Sequence, residues 1–189
     1  IHKLSMSRDE LLSVATALEG HPDNVAPALF GGLTASAVEA GIPLSVHYPL
    51  SPKLHFTALI PPFELSTALS RGVLPHDVPR ADAIFNVSRA ALLLSALGSG
   101  DIALLRAAMA DRLHEPYRRA LIDGYDTARG LAYKHGAEAM CISGAGSTLL
   151  CVAAHPTLAG DISADLAAHL PGWRAVTLLP ELEGAHVEE

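Results

Sequence analysis

Glu19-Gly20-His21-Pro22-Asp23-Asn24 places two carboxylates, an imidazole and an amide in one short run ahead of Gly31-Gly32. Far along the chain, Ser143-Gly144-Ala145-Gly146-Ser147-Thr148 forms a small-residue turn between two apolar runs. Together they suit a site that handles a metal and a phosphate. Magnesium needs only one or two protein carboxylates, because it keeps waters and takes its other ligands from phosphate oxygens. Glu19 and Asp23 could therefore be a metal ligand and a carboxylate that orients or deprotonates a substrate. The residues alone also allow Glu19 to face water and Asp23 to be an ordinary N-cap. His21 has no second His or Cys at ligand spacing, so zinc is not expected. The glycines of the turn would let the backbone approach a phosphate or a neighbouring loop, although Gly-x-Gly between strands also reads as a tight turn. With no Lys in it, this is not a Walker loop, and positive charge must come from a metal and from Arg.

The elements that carry these residues are legible from spacing. Ser7 and Glu10 form a capping box ahead of Leu11, Leu12, Val14, Ala15 and Leu18, which predicts a helix over 8–18 that delivers Glu19 to a turn. Gly20 and Pro22 break it, Asp23 or Asn24 caps a second helix through Phe30, and Gly31-Gly32 ends that one. Two strand-like runs between Leu33 and Tyr48, parted by Glu39-Ala40-Gly41, read as a hairpin at the edge of a sheet. A domain boundary is placed near Ser51-Pro52. Beyond it come a strand over 53–60, a short helix over 64–71, and a long, nearly all-apolar helix over 80–97 that should be buried. A helix capped by Asp101 follows, then one begun at Pro116 and interrupted by Gly124 before 125–134. Strands over 139–142 and 149–153, a helix over 158–170 and a strand over 173–179 complete the chain. Strands meeting through turns, with helices grouped rather than interleaved, predict an α+β fold: an antiparallel sheet with helices packed on it.

Composition narrows the function classes. With 189 residues and 50% hydrophobic content, the chain can bury one good core. A formal charge of −7 and the lack of a Lys/Arg-rich run argue against nucleic acid as a partner. No apolar run is expected to approach a membrane span, and the start lacks signal-peptide architecture, so the reading is cytoplasmic with no membrane partner. Cys141 and Cys151 flank the small-residue turn and read as reduced core residues rather than a disulfide.

The run Glu19 to Asn24, continued by Val25-Ala26-Pro27-Ala28 and Gly31-Gly32, resembles the signature of homoserine kinases. These belong to the galactokinase, homoserine, mevalonate and phosphomevalonate (GHMP) kinase superfamily. The resemblance extends through Asn86-Val-Ser-Arg-Ala90, Asp111-Arg-Leu-His-Glu-Pro-Tyr-Arg118 and the Ser-Gly-Ala-Gly turn. It implies ATP-dependent phosphorylation of the homoserine hydroxyl to O-phosphohomoserine in threonine biosynthesis. By the same resemblance Glu19 holds Mg2+, His21, Asp23 and Asn24 line the substrate, with Asp23 and Asn24 catalytic, and Gly144, Ala145, Gly146 and Ser147 bind the nucleotide. Arg71 and Arg118 match arginines that homoserine kinases use for the amino-acid carboxylate, a task suited to the planar guanidinium fork. Taken singly, each could equally be a surface Arg, Arg118 paired with Glu115 or Asp111. Arg89 and Arg119 read as structural or solvent-facing. Ser147 stands where homoserine kinases generally have Pro, which is expected to loosen the turn.

The family's Asn/Asp segment and its Gly/Ser-rich phosphate loop are not found in this sequence. The chain is therefore read as the C-terminal part of a longer kinase, with 1–50 a remnant of the N-terminal domain, 51–189 the C-terminal domain, and a homodimer when full length. The rival readings are another small-alcohol kinase of the superfamily, and a non-catalytic ligand-binding or dimerisation module.

Overall fold

The computed structural model describes residues 6–186. It divides into two compact units: residues 6–50 together with 180–186, and Ser51–Leu179. The C-terminal segment, placed in the second domain from sequence, groups with the first unit.

In the first unit, helix α1 (Arg8–Glu19) starts with the expected capping box. The Ser7 side chain accepts from the Glu10 amide at 3.2 Å, and the Ser7 amide donates back to Glu10 at 2.7 Å. Gly20, with φ 93°, ends it in the left-handed conformation that glycine adopts without penalty. Helix α2 (Val25–Phe30) has Asn24 in the N-cap place, but no side chain caps it. Asp23 Oδ1 accepts from the Asn24 amide, one residue away at 3.1 Å, so the expected cap bond is not made. Strands β1 (Leu33–Glu39) and β2 (Ile42–Tyr48) pair antiparallel across Ala40-Gly41. Both turn residues have positive φ, 50° and 81°, as a two-residue hairpin with the strands' own twist requires.

The C-terminal segment straps this unit. Gly32 donates to the Glu181 carbonyl, Ala185 to that of Ala28, and the Arg8 guanidinium reaches the Glu183 and Ala185 carbonyls. At the crossing, a Cβ on Gly31 would sit 2.5 Å from the Gly184 nitrogen, with φ already at 77°. Gly31→Ala therefore meets backbone on a positive-φ residue. It should destabilise the chain by more than about 1 kcal/mol. Chemical denaturation of the chain checks this, and an unchanged midpoint would mean that the strap is not formed in solution.

The second unit is built on one antiparallel sheet of order β4-β5-β3-β6, with β3 His55–Ile60, β4 Ala137–Ile142, β5 Leu149–Ala153 and β6 Arg174–Leu178. The α+β expectation holds. Its helices are α3 (Thr67–Gly72), α4 (Arg80–Ser99), α5 (Ile102–Ala108), α6 (Glu115–Arg118), α7 (Tyr125–Lys134) and α8 (Leu158–His169). Ser66 caps α3 and Asp101 caps α5 through side-chain bonds to Leu69 and Leu104 amides. The main core joins Leu59, Met140, Ile142, Leu149 and Cys151 from the sheet to Ala128, Leu131, Leu158, Ile162 and Leu166 from α7 and α8. Val152, on the alternate face of β5, is also buried, so both faces of the central strands are covered. Met140 lies opposite Cys151 in the register, which puts Cys141 and Cys151 on opposite faces of the sheet. Both are thiols, and burial pushes each up to about 12.

Two expectations fail at α4. It was read as buried, yet Ala96 is its only buried residue, and Ile84 and Val87 are 59% and 73% exposed. An all-apolar pattern reports how much shielding a helix wants, whereas here α7 and α8 fill the core and α4 packs along α5. No run was expected to reach membrane-span length, but α4 is long and apolar enough by length and composition, with mean hydropathy 1.2 over its best window. Asn86 and Arg89 interrupt it midway, and both are engaged in contacts described below.

Candidate functional site

The sequence-predicted residues fall on two clusters, one in each unit. In the first, Glu19 is the last residue of α1 and is exposed, with no basic side chain in that helix's last turn. A carboxylate at the negative end of a helix dipole is electrostatically disfavoured, and a cation beside it would relieve that. Four residues on, the exposed Asp23 carboxylate contacts His21 Nδ1 as an ion pair when the imidazole is protonated. Glu19, His21, Asp23 and Asn24 thus lie on one α1–α2 connection, held by Gly20 at one end and α2 at the other. Among the described residues no three His, Cys, Asp or Glu side chains gather into a metal-holding group. Glu19 would supply one carboxylate, a donor set that fits a magnesium ion completing its shell with water and phosphate and does not fit zinc.

In the second unit, Arg118 connects three of the predicted features. From the end of α6 its Nε–H donates to the Ser70 carbonyl at 3.1 Å, and Nη1 donates to the Gly144 carbonyl at 3.0 Å. The surface pairing with Glu115 or Asp111 is not what forms. Ser70 is fully buried in α3 and precedes Arg71, an exposed residue near that helix's end. One guanidinium therefore ties the helix of Arg71 to the small-residue turn. Two of its five N–H groups make these bonds, leaving Nη2 as a donor toward a ligand.

The turn itself joins β4 to β5 as a tight hairpin. Ser143 donates to the Thr148 carbonyl and Gly146 to that of Ser143, both at 2.9 Å. Gly144 and Gly146 have φ of 56° and 92°, which accounts for the glycines. The Gly146–Ser147 peptide is cis. Ser147 does not loosen the turn: it is buried, and its hydroxyl donates to the Phe63 carbonyl at 2.7 Å. Any contact that Gly144, Ala145, Gly146 or Ser147 makes with phosphate would thus come from backbone, with the Ser147 hydroxyl already engaged.

Spacing did not single out the network that holds α6, although its residues lie in the two middle motifs. Asp111 Oδ1 accepts from the amides of Leu113, His114 and Glu115 at 3.0, 2.7 and 2.7 Å. Its Oδ2 accepts from Asn86 Nδ2 at 2.5 Å, while Asn86 Oδ1 accepts from the Arg112 amide at 2.9 Å. Burial opposes ionisation of Asp111, yet these amide donors, with Asn86 and His114, hold its carboxyl below the usual range. Tyr125 donates its hydroxyl to Glu115, and burial together with that carboxylate raises the phenol well above its ordinary value. Arg89 and Arg112 both stack over the Phe85 ring, 4.1 and 3.9 Å from its centre. A cleft of about 240 Å³ between α4, α5 and β4 is lined by Asn86, Arg89, Asp111, His114, Glu115 and Cys141, among others.

The family described as GHMP kinases C terminal matches residues 93–172. Homoserine kinase from Moorella thermoacetica is 48% identical over 141 residues, 75% of this chain and 48% of that protein. Homoserine kinase from a Clostridium botulinum strain is 38% identical over 181 residues, 95% of this chain and 61% of that one. The crystal structure of homoserine kinase from Cytophaga hutchinsonii superposes with a TM-score of 0.87 at 26% identity, covering 95% of this chain and 60% of that one. The chain spans about half the length of several curated relatives that it matches. With the antiparallel sheet and the tethered Ser-Gly-Ala-Gly turn in place, residues 93–172 carry the C-terminal domain of the GHMP kinases.

Proposed function

We propose that the full-length protein is a homoserine kinase, transferring the γ-phosphoryl group of ATP to the side-chain hydroxyl of homoserine. The observation that carries this reading is Arg118, a guanidinium fixed by two backbone carbonyls between the helix of Arg71 and the Ser-Gly-Ala-Gly turn. A rigid guanidinium with donors remaining is preorganised for a carboxylate, which an amino-acid substrate has and a sugar alcohol lacks. The names of the relatives support the same substrate.

In this reading Arg71 and Arg118 bind the substrate carboxylate, and His21, Asp23 and Asn24 surround the hydroxyl. Asp23, oriented by His21, accepts or directs the hydroxyl proton, and Asn24 positions the oxygen. The backbone of Gly144, Ala145, Gly146 and Ser147 faces the nucleotide. Glu19 would hold Mg2+, which when bound offsets charge on the phosphates. Phosphoryl transfer depends on positioning and charge stabilisation, so these residues act by holding their groups in line. The protein would work in the cytoplasm on small molecules, without nucleic acid or membrane, as a homodimer at full length.

Residues 1–189 alone are expected not to phosphorylate homoserine, because they carry no Gly/Ser-rich phosphate loop. Coupled assays with ATP and magnesium should show phosphohomoserine from the full-length protein and none from these residues alone. Turnover of mevalonate above that of homoserine by the full-length protein would overturn the substrate assignment.

A further inference from the structure

Asn86 and Asp111 belong to the two middle motifs, yet neither has been given a role in the reaction. Their contacts form a continuous path. Asn86, midway along α4, holds the Arg112 amide with its oxygen and Asp111 with its nitrogen. Asp111 in turn gathers the three amides that open α6. That helix has four residues, and its last one is Arg118. So short a helix has too few internal bonds to fix its own direction, because nucleation costs more than one turn returns. Its orientation is therefore set from its ends. Asp111 holds the first, and the Arg118 bonds to Ser70 and Gly144 hold the last.

We propose that Asn86 and Asp111 are positioning residues: the pair fixes the start of α6 and thereby aims Arg118 at Ser70 and Gly144. This rests on the reading of Arg118 as a carboxylate-binding residue for its effect on the reaction, though not for its effect on the turn. Asn86 suits the role because one amide group both donates and accepts, and a single side chain can hold a carboxylate and a backbone N–H together. Removing it leaves Asp111 Oδ2 without its amide donor and the Arg112 amide without its acceptor, while all the side chains of α6 are kept.

Two readouts on Asn86→Ala test this, and they fail separately. The first uses residues 1–189 and amide hydrogen exchange by NMR. Exchange is expected to rise roughly tenfold, the worth of about one or two hydrogen bonds, at Glu115, Arg118, Ser143 and Gly146. Thr57 and Cys151 on the central strands should stay within twofold of the parent. A uniform rise across both groups, or no rise at Ser143 and Gly146, would overturn the proposal. Asp111→Ala should act like Asn86→Ala. Asp111→Asn keeps an oxygen for the three amides, and it should restore protection at Glu115 and Arg118. Failure of that rescue would also count against the proposal.

The second readout is the homoserine KM of the full-length kinase, expected to rise about tenfold in Asn86→Ala with the ATP KM within twofold of the parent. If the turn loosens but neither Asn86→Ala nor Arg118→Ala changes the homoserine KM, positioning stands and the substrate role of Arg118 falls. A raised KM in Arg118→Ala beside an unchanged one in Asn86→Ala would overturn the positioning role.

Discussion

Replacing Arg118 with alanine is expected to raise the homoserine KM of the full-length kinase by about 30- to 1000-fold, equivalent to ~2–4 kcal/mol. Two losses combine. The substrate carboxylate loses a charged donor and is left desolvated without a partner. The turn loses its tether as well, because the same side chain holds the Gly144 carbonyl. Arg71→Ala should show the first loss with little of the second, since its helix is held independently by the Ser66 cap. Lysine at 118 should recover only part of the effect, because an ammonium cannot reproduce the fork that spans Ser70 and Gly144. Steady-state kinetics with homoserine varied at saturating ATP is the measurement. An unchanged KM in both alanine variants would show that the carboxylate clamp is misassigned.

Glu19→Gln and Asp23→Asn are expected to fail differently in the full-length kinase. Glu19→Gln should reduce kcat at low magnesium and recover much of it at high magnesium, because an amide oxygen still coordinates without the charge. Asp23→Asn should lower kcat by about 10²- to 10⁴-fold at every magnesium concentration, the usual range for a group that handles the reacting proton. Asp23 also holds His21, so its loss should disturb the imidazole as well. Magnesium titrations of kcat for both variants beside the parent decide this. If the two respond alike, or both keep parental rates, the separate roles are wrong.

The parts of the fold governed by local chemistry were legible in the sequence. The Ser7/Glu10 box, the Asp101 cap and the Ala40-Gly41 turn each satisfy their backbone groups within a few residues, so a short window holds all the information. The sheet followed from strands joined by turns. What depended on distant partners was not legible. The burial of α4 was misjudged because periodicity says what a helix could bury and not what is available to bury it. Arg118, which taken singly could pair with Glu115 or Asp111, bonds carbonyls of residues 48 and 26 positions away. Ser147 read as a loosened turn, and only its contact with Phe63 shows otherwise. Asn86 and Asp111 were visible as parts of motifs, but their pairing spans 25 positions and leaves no spacing signal.

The strap formed by Gly32, Glu181, Ala28 and Ala185 bears on how the chain is made. Domains generally fold in order as they leave the ribosome, the earliest segment first. Here a segment made earlier is strapped by one made much later: the bonds to Arg8, Ala28 and Gly32 wait for residues 181–185. Ser51–Leu179 contains all the strands of its own sheet and can complete it sooner. A premature stop just after Leu179 would therefore spare the domain next to it in sequence. The damage would fall on the distant segment that presents Glu19, His21 and Asp23.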